Sequence, residues 1–85
     1  MKYKLTFYEF CDYIEIKHSI YTSIPYHHLS VYGQEYIKKL SNIKQQLKQI
    51  FYLTKNEERR NDEILFFLKS DEEYYKEFIE KLVER

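Results

Sequence analysis

Chain-breaking residues are almost absent from this 85-residue sequence, which contains one glycine and one proline. Hairpins and tight turns between strands depend on such residues, so a fold built from strands is not expected. The single glycine also excludes the usual glycine-rich loops that bind phosphate groups. The sequence therefore favours a helical protein, with a break at Pro25.

The sequence also has only one cysteine and no net charge. One cysteine, Cys11, excludes an intramolecular disulfide and fits a reducing compartment. Fourteen basic and fourteen acidic residues cancel, which argues against a strongly electrostatic role such as coating nucleic acid. We read neither a signal peptide nor a membrane span in the sequence, so a cytoplasmic protein without membrane association is expected. The abundance of Lys, Ile, Tyr, Asn, Glu and Phe is typical of an AT-rich genome, such as that of a low-GC bacterium or its phages and mobile elements.

Aromatic residues are what the chain has in excess, with ten tyrosines and six phenylalanines but no tryptophan. Tyrosine offers a wide contact area at low entropic cost and keeps a polar tip, so it is favoured at protein interfaces. The plainer interpretation is that these residues belong to the core and its boundary.

Three Ser/Thr-x-x-Glu patterns predict helix starts, because each can form a capping box that satisfies two backbone donors. The pairs are Thr6 with Glu9, Thr54 with Glu57, and Ser70 with Glu73. Together with apolar periodicity they predict four helices: 7–21, a second from about 27–30 to 53, a third ending in the apolar segment 64–68, and a fourth over 71–83. Because residues 55–62 contain no helix breaker, the second and third helices could also form one bent helix.

The second predicted helix is the longest and carries a seam of apolar residues at alternating spacings of four and three. The seam consists of Tyr36, Leu40, Ile43, Leu47 and Ile50. The five apolar residues 64–68 point to all sides of a helix, so that turn should be enclosed. We predict a single domain, 1–85, with an all-α fold: a small irregular four-helix bundle with one long central helix.

No residue set predicts catalysis. Cys11, His18, His27 and His28 are the only soft metal ligands, but they lack a recognised ligand spacing. A buried cysteine and a hydrogen-bonded core histidine explain Cys11 and His18 equally well. We therefore expect no enzyme, no metal and no cofactor.

Charge is segregated along the chain despite its zero total. Residues 34–55 contain five lysines against Glu35, whereas residues 57–85 contain ten acids against six bases. Lysines interleaved with Tyr and Gln could contact phosphates and bases, so a small DNA-binding transcriptional regulator is one alternative. A solvated helix face whose rim attracts the acidic helices is the simpler explanation.

Apolar residues on several sides of the first helix predict an interaction surface. Tyr8 and Ile16 lie away from the stripe that contains Phe7, Cys11 and Ile14, so the core does not obviously need them. The predicted contact residues are Tyr8, Tyr13, Ile16, Ile20, Tyr26 and His28. The competing interpretation is that the first helix is central and all of these residues are buried.

These observations favour a small non-catalytic protein-binding module that occludes a surface of a larger protein. An inhibitor or an immunity- or antitoxin-like protein, encoded by a phage or mobile element, would fit. A two-fold homodimer is also expected, because the apolar surface exceeds what one small bundle covers. A homo-oligomeric scaffolding protein is the third alternative.

Overall fold

The computed structural model describes residues 2–84, so Met1 and Arg85, the two ends of the expected 1–85 domain, lie outside it. The described residues form four α-helices and one 3-10 turn. These are α1 (Phe7–Thr22), the 3-10 turn (Tyr26–His28), α2 (Val31–Leu53), α3 (Glu57–Lys69) and α4 (Glu72–Leu82). The predicted all-α four-helix fold is confirmed. Within residues 2–84 the β-type pairing is one isolated bridge, between Tyr3 and Val83.

Local sequence signals set the ends of α1 and α2. The Thr6 hydroxyl accepts the Glu9 amide at 3.1 Å, and the Glu9 carboxylate accepts the Thr6 amide at 3.2 Å, which confirms the first capping box. Ser30 caps α2 by accepting the Gly33 amide at 3.1 Å. Helix α2 thus begins slightly later than predicted, because the residues after Pro25 first form the 3-10 turn.

The other two predicted capping boxes are wrong. Thr54 ends α2, and its hydroxyl donates to Glu63 at 3.0 Å; Asn56 caps α3 instead, by accepting the Arg59 amide. Ser70 ends α3 with its hydroxyl donating to the Phe67 carbonyl, and α4 begins after Asp71 without a side-chain cap. Because residues 54–56 are not helical, α2 and α3 are separate helices and the alternative of one bent helix is wrong.

The predicted seam of α2 lines the core. Leu40, Ile43, Leu47 and Ile50 are all buried, whereas Tyr36 packs partly buried against the core cluster. The other core residues come from all three remaining helices: Phe7, Phe10, Ile14, Ile64, Leu65, Leu68, Tyr75, Phe78, Ile79 and Leu82.

The expected enclosure of residues 64–68 is wrong at one position. Phe66 is 79% exposed, although Ile64, Leu65 and Leu68 are buried. Five consecutive residues point to every side of a helix, and one side of α3 faces solvent.

The α1–α2 pair is an antiparallel hairpin, as its contacts run in opposite directions along the two helices. Phe7 stacks on Phe51 at the start of α1, and Tyr21 contacts Tyr36 near its end. Helix α2 has 23 residues, whereas α3 and α4 have 13 and 11. At 1.5 Å per residue, α2 is about 34 Å long and each of the other two about 16–20 Å. The shorter helices therefore cover only part of the hairpin.

The end of the hairpin that contains no buried residue is residues 15–39, here called the hairpin tip; α4 contacts it at its base, at Lys17, Glu35, Tyr36 and Lys39. The tip contains no buried residue, whereas α1 is buried at Phe7, Phe10 and Ile14, and the buried part of α2 begins at Leu40. Helix α4 starts near the base of the tip, where the Tyr74 hydroxyl donates to Glu35 at 3.2 Å. Across residues 2–84, none of the helices is long and apolar enough to cross a membrane.

Candidate interaction surface

The hairpin tip displays large apolar side chains that the fold does not bury. Six of them are more than one third exposed, and Tyr32, at 89%, is the most exposed. They are Ile16, Ile20, Ile24, Tyr26, Val31 and Tyr32. Monomeric soluble proteins rarely leave large apolar surfaces uncovered, and such surfaces mark interaction sites.

The central part of the tip lacks charged residues, which lie only at its two ends, at Glu15, Lys17, Glu35, Lys38 and Lys39. Residues 18–34 contain no Asp, Glu, Lys or Arg, although these residues make up 33% of the chain. The only basic side chains in this segment are the three histidines, His18, His27 and His28. The core of a protein interface is typically depleted of charged residues and enriched in aromatic ones. Exposed apolar groups and missing charge thus coincide in one part of the molecule.

Four of the six predicted contact residues lie in the tip. Ile16, Ile20 and Tyr26 are 55–61% exposed, and His28 is also exposed. Ile16 and Ile20 are one helical turn apart, so they share one side of α1. Tyr26 is partly fixed, because its hydroxyl donates to Gln34 at 3.3 Å. The alternative in which α1 is central and buries these residues does not hold for these four.

Tyr8 lies elsewhere, near the opposite end of α1. Eight residues separate it from Ile16, about 12 Å along the helix. It is 54% exposed, but its hydroxyl accepts a hydrogen bond from the buried Arg60 guanidinium at 3.1 Å, and its ring packs edge-on against Phe51. The structure therefore does not bring Tyr8 together with the tip residues.

Tyr13 is partly buried and packs against the core. Its ring contacts Phe10 and Phe78, and its hydroxyl donates to the Glu77 carboxylate at 3.1 Å. Its side chain thus fastens α1 to α4, and any contact with a partner would be made by the exposed remainder of its ring.

Sequence reasoning missed Ile24, Val31 and Tyr32. Val31 and Tyr32 occupy the first turn of α2 and are 73% and 89% exposed. They lie outside the seam, so the helical periodicity of apolar residues does not identify them. The signal that could have found them is the charge-free segment 18–34, which is visible in the sequence.

A carboxylate at the base of the tip joins three helices. Glu77 of α4 accepts hydrogen bonds from Tyr13 of α1 and from Tyr36 of α2 at 3.0–3.2 Å. Lys17 of α1 forms an ion pair with it at 3.2 Å. This Glu77 cluster holds α4 against the hairpin at the level where the tip begins.

The electrostatics of the Glu77 cluster are those of a structural contact. Partial burial opposes ionisation of Glu77, but hydrogen bonds from Tyr36 and Lys17, the Lys17 charge and the Tyr13 hydrogen bond outweigh it and lower the pKa of the carboxyl. Burial, with the Glu77 carboxylate close by, raises the pKa of Tyr13 and of Tyr36 far above the ordinary value. Both phenols therefore stay protonated as donors, and the carboxylate stays ionised as their acceptor.

The surroundings of Cys11 disfavour its ionisation. Burial first, and then the Asp12 and Glu15 charges, raise the pKa of Cys11 to about 11 against the opposing effect of Arg60. The thiolate that nucleophilic chemistry needs is thus disfavoured at neutral pH. Among residues 2–84, no group of three His, Cys, Asp or Glu side chains could hold a metal ion.

The lysines of α2 are partly engaged within the protein. Lys44 pairs with Glu15 of α1 at 3.1 Å, and Lys38 pairs with Glu35 at 3.8 Å. The Lys39 ammonium lies 4.2 Å from the centre of the Tyr74 ring. These two ion pairs are made with acids of α1 and α2, and not with the acidic helices α3 and α4.

A groove of about 390 Å³ lies between α1 and α2, at the end of the hairpin opposite the tip. Phe7, Tyr8, Leu47 and Phe51 are among its apolar lining residues. Its rim, unlike the segment 18–34, carries the charged side chains of Glu15, Lys44 and Lys48. The segment 18–34 of the tip therefore combines exposed apolar side chains with an absence of charge, and the groove does not.

Comparison of the chain with protein-family models, with curated proteins and with solved structures finds no match.

Proposed function

We propose that this protein is a small non-catalytic protein-binding module that occludes a surface of a larger protein through its hairpin tip. An inhibitor or an immunity- or antitoxin-like protein, encoded by a phage or mobile element, is the class that fits. The observation that carries the proposal is the hairpin tip: 25 consecutive residues without a buried side chain, which include six exposed large apolar residues.

Burial of the exposed apolar side chains of the tip would supply a large part of the free energy that binding needs. Full burial of a large apolar side chain contributes about 1.5–3 kcal/mol, so six partly exposed ones supply on the order of 10 kcal/mol. Association costs roughly 4–15 kcal/mol in lost translational and rotational freedom. Because the charge-free segment 18–34 has no ammonium, guanidinium or carboxylate to dehydrate, little of that gain is lost to desolvation of charge.

The expected partner surface is apolar and uncharged. A strongly charged partner would lose hydration at its own charges and find none of opposite sign on residues 18–34. The same feature makes the DNA-binding alternative the weaker one, because the tip has no lysine or arginine in that segment for phosphate contacts.

Affinity capture from the cells that produce the protein tests the proposal. Tagged wild-type protein is compared with the double variant Ile20→Ser, Tyr32→Ser, and the matched control is Phe66→Ser. Phe66 is exposed to a similar extent as Tyr32 but lies on α3, outside the tip. We expect a larger protein that is retained by the wild type and the control and lost from the double variant.

Nuclease and salt distinguish the DNA-binding alternative. Retention of the partner through a tip made of apolar side chains should survive nuclease treatment and change little with salt. Binding to nucleic acid should be abolished by nuclease and weaken steeply as salt increases. Equal capture by the wild type and the double variant would contradict the assignment to the tip.

A further inference from the structure

A buried positive charge lies against the groove between α1 and α2. The Arg60 side chain is 7% exposed, and its guanidinium carbon lies 4.6 Å from the centre of the Phe51 ring and 5.1 Å from that of Phe7. Both rings line the groove, as does Tyr8, whose hydroxyl accepts a hydrogen bond from Arg60 at 3.1 Å. The guanidinium is therefore in direct contact with the walls of the groove.

No carboxylate of residues 2–84 forms an ion pair with this guanidinium. The acids one helical turn away on α3, Glu57 and Glu63, accept hydrogen bonds from other groups. Arg60 donates instead to the carbonyls of Phe51 and Thr54 at the end of α2. The C-terminus of a helix is equivalent to about half a negative charge, so about half of the guanidinium charge stays uncompensated. This is unusual, because buried charges are normally paired.

Two further groups of the groove favour a negative charge. Lys48 lines the groove and, in the described part of the chain, pairs with no carboxylate, whereas Lys44 pairs with Glu15. The Tyr8 hydroxyl accepts from Arg60 and keeps its own proton for a further hydrogen bond. The lining residues and Arg60 together provide three cations and one carboxylate.

The walls of the groove suit a flat apolar body. The rings of Phe7 and Phe51 are stacked with their centres 6.2 Å apart, Tyr8 lies edge-on to both, and Leu47 adds an aliphatic side chain. The volume of about 390 Å³ lies within the range of roughly 300–1,000 Å³ that is typical of small-molecule sites. Such sites combine apolar walls with a few polar groups that orient the ligand.

We infer that this groove binds a small aromatic carboxylate. The ring system of the ligand lies against Phe7, Leu47 and Phe51, and its carboxylate accepts hydrogen bonds from the Tyr8 hydroxyl and the Lys48 ammonium. The negative charge also compensates the part of the Arg60 charge that the end of α2 leaves over. The groove lies at the end of the hairpin opposite the tip, so this site is independent of the proposed protein-binding surface.

Isothermal titration calorimetry with two probes that share one ring system tests the inference. Naphthoate has the carboxylate, and naphthalenemethanol has an uncharged hydroxymethyl group in its place. We expect the wild type to bind naphthoate at least about tenfold more tightly than the alcohol, because hydrogen bonds to a charged acceptor contribute more than those to a neutral one. Equal affinities for the two probes, or binding of neither at millimolar concentration, would overturn the inference.

Three variants place the ligand in the groove. Tyr8→Phe keeps the ring and removes the hydroxyl, so it should weaken the binding of naphthoate by about tenfold. Lys48→Met removes the exposed ammonium and should weaken it by about threefold or more, whereas both variants should bind the alcohol like the wild type. The matched control is Lys38→Met, at an exposed lysine on the same helix but outside the groove.

Thermal melting without probe shows whether each variant keeps its fold. Lys48→Met changes an exposed side chain and keeps the test decisive even if loss of the Arg60 hydrogen bond unfolds Tyr8→Phe. Naphthoate affinity that is unchanged in Lys48→Met, or that falls equally in Lys48→Met and Lys38→Met, would overturn the placement of the ligand in this groove.

Discussion

At the residue scale, the Glu77 side chain connects three helices. It accepts hydrogen bonds from Tyr13 and Tyr36 and pairs with Lys17, so one carboxylate holds α1 and α2 to α4. The two tyrosine rings also pack against Phe78 of the core. Part of the tyrosine excess in this sequence is therefore structural, since each ring fills space and each hydroxyl ties down a neighbouring helix.

The Glu77 cluster gives the stability a defined pH dependence. The pKa of Glu77 is lowered in the folded protein. Its contribution to the free energy of unfolding is therefore present above the ordinary carboxyl pKa, about 4.3, and is lost as pH falls through the pKa of the folded state. The pKa values of Tyr13 and Tyr36 are raised, so their contribution is complete below the ordinary tyrosine pKa, about 10, and is lost as pH rises beyond it.

We expect Glu77→Gln to lower the free energy of unfolding at pH 7 by about 1 kcal/mol, because a charged acceptor is lost from a partly solvated site. The difference from wild type should be smaller at pH 3 than at pH 7, because protonation of the wild-type carboxyl, which increases as pH falls, removes the same charge. Urea unfolding at the two pH values measures both quantities. A difference that stays constant or grows at pH 3 would show that the carboxylate charge is not what stabilises the cluster.

The seam of α2 gives a second expectation at this scale. Truncation of Leu40, Ile43 or Leu47 to Ala should cost about 2–5 kcal/mol, because each side chain is buried and leaves a cavity. Phe66→Ala, at an exposed position, should change the free energy of unfolding by less than about 0.5 kcal/mol. If Leu47→Ala melts at the wild-type temperature, the seam is wrongly assigned.

At the scale of helices, the capping residues determine where a helix begins and ends. Asn56→Ala should cost about 1 kcal/mol, because the Asn56 side chain satisfies the Arg59 amide at the start of α3. Ser70→Ala should cost less, since Ser70 lies after the end of α3 and caps no helix start. Thermal melting of the two variants compares them directly, and a larger loss for Ser70→Ala would contradict the assignment of the caps.

The sequence patterns predicted correctly those features of the helices that depend on interactions within one helix. The Thr6 capping box and the seam of α2 involve neighbours on one helix, so they could be inferred without knowledge of the fold. The roles of Thr54 and Ser70 could not be inferred in this way. A hydroxyl near a helix end can accept a hydrogen bond from a following amide, or it can donate one to a preceding carbonyl or to a residue distant in sequence. Thr54 donates to Glu63 and Ser70 to Phe67, and those partners are known only once α2 and α3 have ended.

The candidate surface was predicted in part for a similar reason. Ile16, Ile20, Tyr26 and His28 were identified by their position off the apolar stripe of α1 or after Pro25. Which residues remain exposed depends on where α3 and α4 stop covering the hairpin, and this follows from tertiary packing. Val31 and Tyr32 were missed because the prediction for α2 considered only the apolar residues of its seam.

On the scale of the whole molecule, stability and binding are assigned to different parts. The buried core lies in the first part of α1, the second part of α2, and α3 and α4. The tip contains no buried residue, and only its Tyr21 and Tyr36 pack partly buried against the core. We expect Ile20→Ser, Tyr32→Ser to change the free energy of unfolding of the monomer by no more than about 0.5 kcal/mol per site. Urea unfolding at concentrations below those of self-association measures this, and a large loss would show that the tip contributes to the core.

Site-specific photo-crosslinking in the producing cells tests the central claim most directly. A benzophenone amino acid replaces Tyr32 in one sample and Phe66 in the other. The two aromatic positions have similar exposure, and Tyr32 lies inside the tip whereas Phe66 lies outside it. We expect light-dependent adducts to protein from position 32, with a second copy or a larger partner, and none from position 66. Adducts from position 66 without any from position 32 would contradict the claim that the hairpin tip is the interaction surface.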